Sequence, residues 1–174
     1  NNRREEGICG NNIGLYYWKK NEFTSALKYF NISLEIARRE GQPENISDGL
    51  TNLGLVYMDL GEYDKALEYL NRGILIDQEL GNEYNLATDL NNLGNIYLNK
   101  SIQAGGDVFF DQALEAFYNA LILAQRLQNK KVQTIVQNNI GEVFFAQHRD
   151  DRALAFYNKA LSTAEDGGLV ELAC

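Results

Sequence analysis

Proline is almost missing from this chain: Pro43 is the only one in 174 residues. A loop-rich or all-β fold is hard to build that way, and long helices are favoured. Cysteine is equally sparse. Cys9 and Cys174 sit at opposite ends, which excludes a disulfide framework or a metal-binding spacing and leaves two free thiols of a reducing compartment. His148 is the only histidine, so no multi-histidine metal site exists and a histidine-based triad has no support. No apolar run approaches the ~18–20 residues that span a membrane, and no signal peptide is expected. Basic residues are outnumbered, 16 Lys and Arg against 24 Asp and Glu, a net charge of −8. Such a surface repels a phosphate backbone and argues against nucleic acid. A phosphate-cradling G-x-x-x-x-G-K loop is absent too. No cofactor, no metal, no catalytic residue and no enzymatic activity are expected, and the chain is expected in the cytoplasm.

What is present is self-similarity. "NNLGNIY" from Asn91 has relatives in "NNIGLYY" from Asn11, "TNLGLVY" from Thr51 and "NNIGEVF" from Asn138. Their glycines, Gly14, Gly54, Gly94 and Gly141, are 40, 40 and 47 residues apart. A second signature follows each, with an Ala-Leu pair at Ala26, Ala66, Ala113 and Ala153. The glycine-to-alanine distance is 12 residues in three repeats and 19 in the third. The insertion "IQAGGDV", residues 102–108, accounts for the difference and is expected to lengthen a corner loop.

Both signatures carry helical stripes. Leu50, Leu53, Val56, Tyr57 and Leu60 step by three and four, and so do Ala66, Leu67, Leu70, Ile74 and Leu75. The spacing predicts helix A over Glu44–Leu60 and helix B over Glu62–Leu80, with Pro43 ahead of the first turn, a break at Gly61 and a left-handed stop at Gly81. One such pair cannot bury its own faces, whereas stacked pairs can, which yields an all-α solenoid. The repeats run about 7–46, 47–86, 87–133 and 134–173, one array with "GLVELAC" opening a fifth repeat. Neither end reads as a natural terminus, so the chain is expected to be a segment of a larger protein.

Leu53, Gly54, Tyr57, Gly61, Tyr63, Ala66, Leu67, Leu70 and Gly73 together resemble the tetratricopeptide repeat (TPR) pattern. Matching residues recur as Ile13, Gly14, Tyr17, Phe23, Ala26, Leu27, Phe30 and Ser33, as Leu93, Gly94, Tyr97, Phe110, Ala113, Leu114, Phe117 and Ala120, and as Ile140, Gly141, Phe144, Ala153, Leu154, Tyr157 and Ala160. The period exceeds the usual ~34 residues. It resembles the long subclass of kinesin light chains, Pins-type spindle scaffolds and bacterial peptide-sensing regulators. The resemblance implies a right-handed superhelical solenoid of antiparallel helix pairs. His148 in place of the turn glycine and Asp150 in place of an aromatic are expected to weaken the last corner.

Gly54 is expected to face Ala66 or Gly73, with Tyr57 and Leu70 buried beside it. A buried Tyr57 predicts a loss of ~3–5 kcal/mol on truncation to alanine. Asn12, Asn52, Asn92 and Asn139 stand two residues before each glycine and are expected about 200° away from it, on the inner face. Asn95 and Asn99 share that face in the third repeat, Asp48, Leu55 and Asp59 in the second, and Glu142 in the fourth. An amide offers a donor and an acceptor together, which is what a peptide backbone needs. In the resembling Pins and kinesin light chain families, asparagines at this position hold peptide backbone in a concave groove. That role carries over to Asn12, Asn52, Asn92 and Asn139. The same amides could equally bond one another and stabilise the stack, and the two readings are compatible.

The expected function is a peptide- or protein-binding scaffold or sensing module of a larger signalling protein. Lys19 is the only basic residue on the inner face, so a carboxylate clamp is excluded and a neutral to basic peptide is expected. The alternative is a self-association module, a homo-oligomer stacked through its solenoid ends. Ile102, Val108 and Phe109, at the insertion, form a secondary apolar contact if Phe109 is exposed. "HRDD" from His148 matches a kinase string in letters alone, at a helix corner.

Overall fold

The computed structural model describes residues 2–169. Every regular element among them is helical: α1 (Asn2–Lys19), α2 (Phe23–Arg39), α3 (Pro43–Asp59), α4 (Tyr63–Leu80), α5 (Glu83–Ala104), α6 (Phe110–Arg126), α7 (Lys130–Ala146) and α8 (Asp150–Asp166), with a 3-10 turn at Asp107–Phe109. The fold is all-α and built of helix pairs, and α3 and α4 fall within a residue of their predicted bounds. The expected fifth repeat and Cys174 lie almost wholly outside the described residues.

The chain forms two compact units, residues 1–82 and 83–174. In the first, α1 pairs with α2, α3 with α4, and α2 packs on α3. Its core is Ala26, Phe30, Leu34, Leu50, Leu53 and Val56. In the second, α5 pairs with α6, α7 with α8, and α7 packs on both α5 and α6. Its core includes Ala113, Phe117, Val136, Ile140, Val143 and Phe144.

Each pair turns on one left-handed residue. Gly61 sits at φ 74° and Gly105 at φ 65°, while Asn21 at φ 58° and His148 at φ 56° adopt the same region without being glycine. The corner hydrogen bonds are shared. Gly61 N donates to Met58 O at 2.9 Å and Glu62 N to Tyr57 O at 2.9 Å; His148 N and Arg149 N donate to Phe145 O and Phe144 O at 2.9 and 2.8 Å. This double bond pattern caps the exposed carbonyls of helix A. His148 therefore keeps the corner geometry expected of a glycine, at the steric cost of a side chain at positive φ.

The repeated glycine allows close approach. A Cβ on Gly14 would stand 2.6 Å from the Phe30 ring, on Gly94 2.5 Å from Phe117, and on Gly141 2.5 Å from Tyr157. On Gly54 it would meet the Ala66 carbonyl at 3.2 Å and Leu70 N at 3.3 Å. So Gly54 faces Ala66, while Gly73 instead packs on Thr51 and Ser47.

Beside these contacts runs a stacked aromatic pair. Tyr17 lies on Tyr29 at 5.5 Å, Tyr57 on Tyr69 at 5.3 Å, and Phe144 on Phe156 at 5.5 Å. The third repeat has Ala116 where the others have the second ring. Phe109 fills the gap and stacks on Tyr97 at 6.3 Å, with Lys100 Nζ 4.6 Å from its ring centre. Phe109 is thus half-buried rather than exposed. Tyr57 is half-buried as well, so the loss expected for a fully buried ring is too large. Leu60 and Leu75, counted in the apolar stripes, are 40% and 59% exposed.

The insertion is mostly not a loop. α5 continues through Ile102, Gln103 and Ala104, Gly105 and Gly106 turn the chain, and the 3-10 turn leads into α6. Ser101, fully buried, holds it together: its Oγ donates to Gly106 O and accepts from Phe109 N. The helical pattern has no reason to stop before Gly105, which is why seven added residues lengthen a helix first.

Candidate functional site

The two asparagines of each motif do different things. Asn52 Nδ2 on α3 donates to Asn11 Oδ1 on α1 at 2.8 Å. In the second unit Asn139 Nδ2 on α7 donates to Asn91 Oδ1 on α5 at 2.8 Å. The second amide of one repeat therefore reaches the first amide of the repeat before it. Neither Asn11 nor Asn91 is among the residues expected on the inner face. The signal was available: an amide recurs at both positions, except for Thr51.

These pairs give the asparagines a structural return for their poor helix propensity. They also leave hydrogen-bonding capacity side by side. A bond from Asn52 Nδ2 to Asn11 Oδ1 uses one group of each amide, and the Asn52 carbonyl oxygen is an acceptor and the Asn11 amino group a donor by chemistry. Asn12 is exposed and Asn92, Asn95 and Asn99 are half-buried on their helices. Leu55 is half-buried near Asn52 in sequence.

The carboxylates of the predicted face already have partners. Asp59 Oδ2 accepts from the Trp18 indole N–H at 2.6 Å. Glu142 Oε1 accepts from the Tyr157 hydroxyl at 2.9 Å. Burial, and after it this bond and the Glu142 charge, push the Tyr157 phenol up to about 12. Glu142 is therefore tied to α8, a tether that its position three residues after Asn139 did not announce.

At the insertion, Ile102 and Val108 are exposed as expected, 58% and 68%, while Phe109 belongs to the ring stack. No group of three or more metal-binding side chains occurs among the described residues, and none of their helices is long and apolar enough to cross a membrane.

Family models described as tetratricopeptide repeat match residues 11–40, 45–101 and 109–166. No curated protein matches the chain by sequence. Solved structures match its fold. BtubC (BKLC) from P. vanneervenii is 19% identical with a TM-score of 0.78, over 93% of this chain and 64% of that one. Aspartyl phosphate phosphatase F from Bacillus subtilis is 15% identical with a TM-score of 0.83, over 95% and 42%. A Rap protein complexed with Competence and Sporulation Factor is 15% identical with a TM-score of 0.76, over 92% and 43%. The chain thus spans from under half to under two thirds of the length of these structures.

Proposed function

This chain belongs to the tetratricopeptide repeat family, a protein-interaction scaffold, and from that premise we propose that it holds an extended segment of a partner protein along its A helices. The observation that carries this reading is the pair of amide bridges, Asn52 to Asn11 and Asn139 to Asn91. Each fixes two amides on neighbouring helices and leaves a donor and an acceptor together, the complement of a peptide unit. Asn12 and Asn92 extend each set, with Asn95, Asn99 and Leu55 beside them. That a Rap protein of the same fold is known complexed with Competence and Sporulation Factor agrees with the reading. A net charge of −8 favours a neutral or basic segment. The module would serve recruitment or sensing within a larger cytoplasmic signalling protein, and the chemistry belongs to the partner's backbone rather than to any catalytic group here.

The test is a peptide selected from a random display library against the 174-residue chain. Its affinity should fall by ~1–3 kcal/mol in the Asn52→Ala, Asn92→Ala double variant, with the helical circular dichroism retained. Equal affinity for variant and wild type rejects the reading.

A second reading rests on α1. Ile13 and Tyr16 are 39% and 58% exposed, where the matching Leu53 and Val56 of α3 are fully buried. A face of that kind fits self-association. Light scattering that rises with concentration, and is suppressed by Tyr16→Asp, would favour it.

A further inference from the structure

The second unit holds a cleft at a place that the first bridges with a pair of side chains. In the first unit, Trp18 at the end of α1 reaches across to α3 and donates its indole N–H to Asp59 at 2.6 Å. In repeat register Leu98 stands where Trp18 stands, and Ala146 where Asp59 stands. Both replacements remove side-chain volume, and together they remove the indole–carboxylate link. The lengthened α5 then adds a wall beyond the point where α1 and α3 end. The result is a cleft of about 610 Å³ between the end of α5, the insertion and the end of α7, a size that suits a small ligand or a large side chain.

Its chemistry is mixed in a specific way. Leu98 and Phe110, 8% and 4% exposed, are buried lining residues. Ile102 and Phe145 also line it and are 58% and 60% exposed, so two large apolar groups face water across one opening. Asp107 and Glu142 bring carboxylates to the same lining. Glu142 accepts from Tyr157 through one oxygen, and a carboxylate has a second oxygen and further lone pairs to offer.

We propose that this cleft is a docking site for an aromatic side chain, preferentially an indole, carried by a partner protein next to a lysine or arginine. The first unit supplies the argument for the aromatic: the equivalent place is filled there by the protein's own indole, whose N–H ends on a carboxylate. The carboxylates on the cleft and the net charge of −8 supply the argument for the cation. The site is built by α5, the insertion and α7 and does not use the Asn91–Asn139 bridge, so it stands apart from the peptide-holding role proposed above.

The probe is a Lys-Trp-Lys tripeptide with a fluorinated indole, titrated into the chain and followed by fluorine NMR, which does not see Trp18. Wild type should bind it. The Leu98→Trp, Ala146→Asp double variant rebuilds the first unit's indole–carboxylate pair and should weaken binding by about tenfold or more. Ile102→Asp changes one exposed side chain and should weaken it similarly, which keeps the test alive if the double variant loses its helical signal. A Gln-Trp-Gln peptide should bind several-fold more weakly, with the gap closing at high salt. The Asn52→Ala, Asn92→Ala variant should bind the tripeptide like wild type, so the cleft and the amide sets fail or succeed separately. No binding to wild type, or undiminished binding to Ile102→Asp, overturns the proposal.

Discussion

The two units use one repeat register with different side chains at matching places. The first closes its A-helix ends with Trp18 and Asp59. The second places Leu98 and Ala146 there and leaves a cleft. The first completes both ring stacks from within the repeat, Tyr17 on Tyr29 and Tyr57 on Tyr69. In the second, the stack on Tyr97 borrows Phe109, the residue that follows the insertion, because Ala116 has no ring. A packing requirement is thus satisfied by whichever segment can deliver the group. What recurs in both units is a glycine where helices A and B meet, the left-handed corner and the side-chain amide bridge.

The largest effect of mutation should separate Gly54, whose added Cβ would meet backbone, from Gly14, Gly94 and Gly141, whose added Cβ would meet a ring. Gly94→Ala drives a Cβ to 2.5 Å from Phe117, a fully buried ring held on all sides. Over-packing of that kind costs about 1–3 kcal/mol, and the ~1 kcal/mol of helix propensity gained on replacing glycine offsets only part of it. Gly54→Ala meets backbone at 3.2 Å and needs a shift of a few tenths of an ångström. Urea melts should show Gly94→Ala clearly destabilised and Gly54→Ala near neutral. Equal losses in the two variants would break the distinction drawn between ring and backbone contacts.

The repeat register, the helix pairs and the close-packed glycines were readable from the sequence because each rests on local periodicity repeated four times. Gly61 and Gly81 announced their own corners, and His148 was found at the corner by alignment with Gly61. Three features differ from what the sequence suggested. Phe109 looked exposed because it occupies the place of Glu62; only the spatial position of Tyr97 beside Ala116 shows why a ring belongs there. The insertion looked like a loop because Gly105 and Gly106 dominate its composition, although the helix pattern of Ile102 to Ala104 continues α5. The asparagines looked like a set of four equivalent residues. Their bridges join unlike positions of successive repeats, 41 and 48 residues apart, an offset that motif alignment conceals.

Those bridges give the next contrast. Asn91 is 8% exposed, whereas Asn11 is half-buried. Removing Asn91 strands the Asn139 amide in a less hydrated place, so Asn91→Ala should cost about 1–2 kcal/mol and Asn11→Ala about 0.5–1 kcal/mol. A double-mutant cycle with Asn139→Ala should return a coupling energy for the Asn91 pair, and one with Asn52→Ala a smaller one for Asn11. A coupling near zero in both would mean that the bridges contribute no stability.

The smallest effect is a titration. At the position next to the repeated glycine the first unit has Phe30 and Leu70, and the second has Phe117 and Tyr157. Only the last can ionise. Burial, followed by the Glu142 hydrogen bond and charge, raises its phenol to about 12 in the folded protein against ~10 in an unfolded chain. Tyr57 in the first unit is shifted the same way, by burial first and Tyr69 next. Because the unfolded chain loses its proton first, the contribution of Tyr157 is fully present below pH ~10 and is lost as pH rises toward 12. The chain has 10 tyrosines, so the measurement is a difference: tyrosinate absorbance of wild type minus Tyr157→Phe should titrate near the upper end of that window. Glu142→Gln should move the step downward while leaving it above the ordinary range, since burial is the larger cause. A difference curve centred at the ordinary tyrosine value would show that Tyr157 is neither buried nor bonded to Glu142, and would remove the tether that distinguishes the α7–α8 pair.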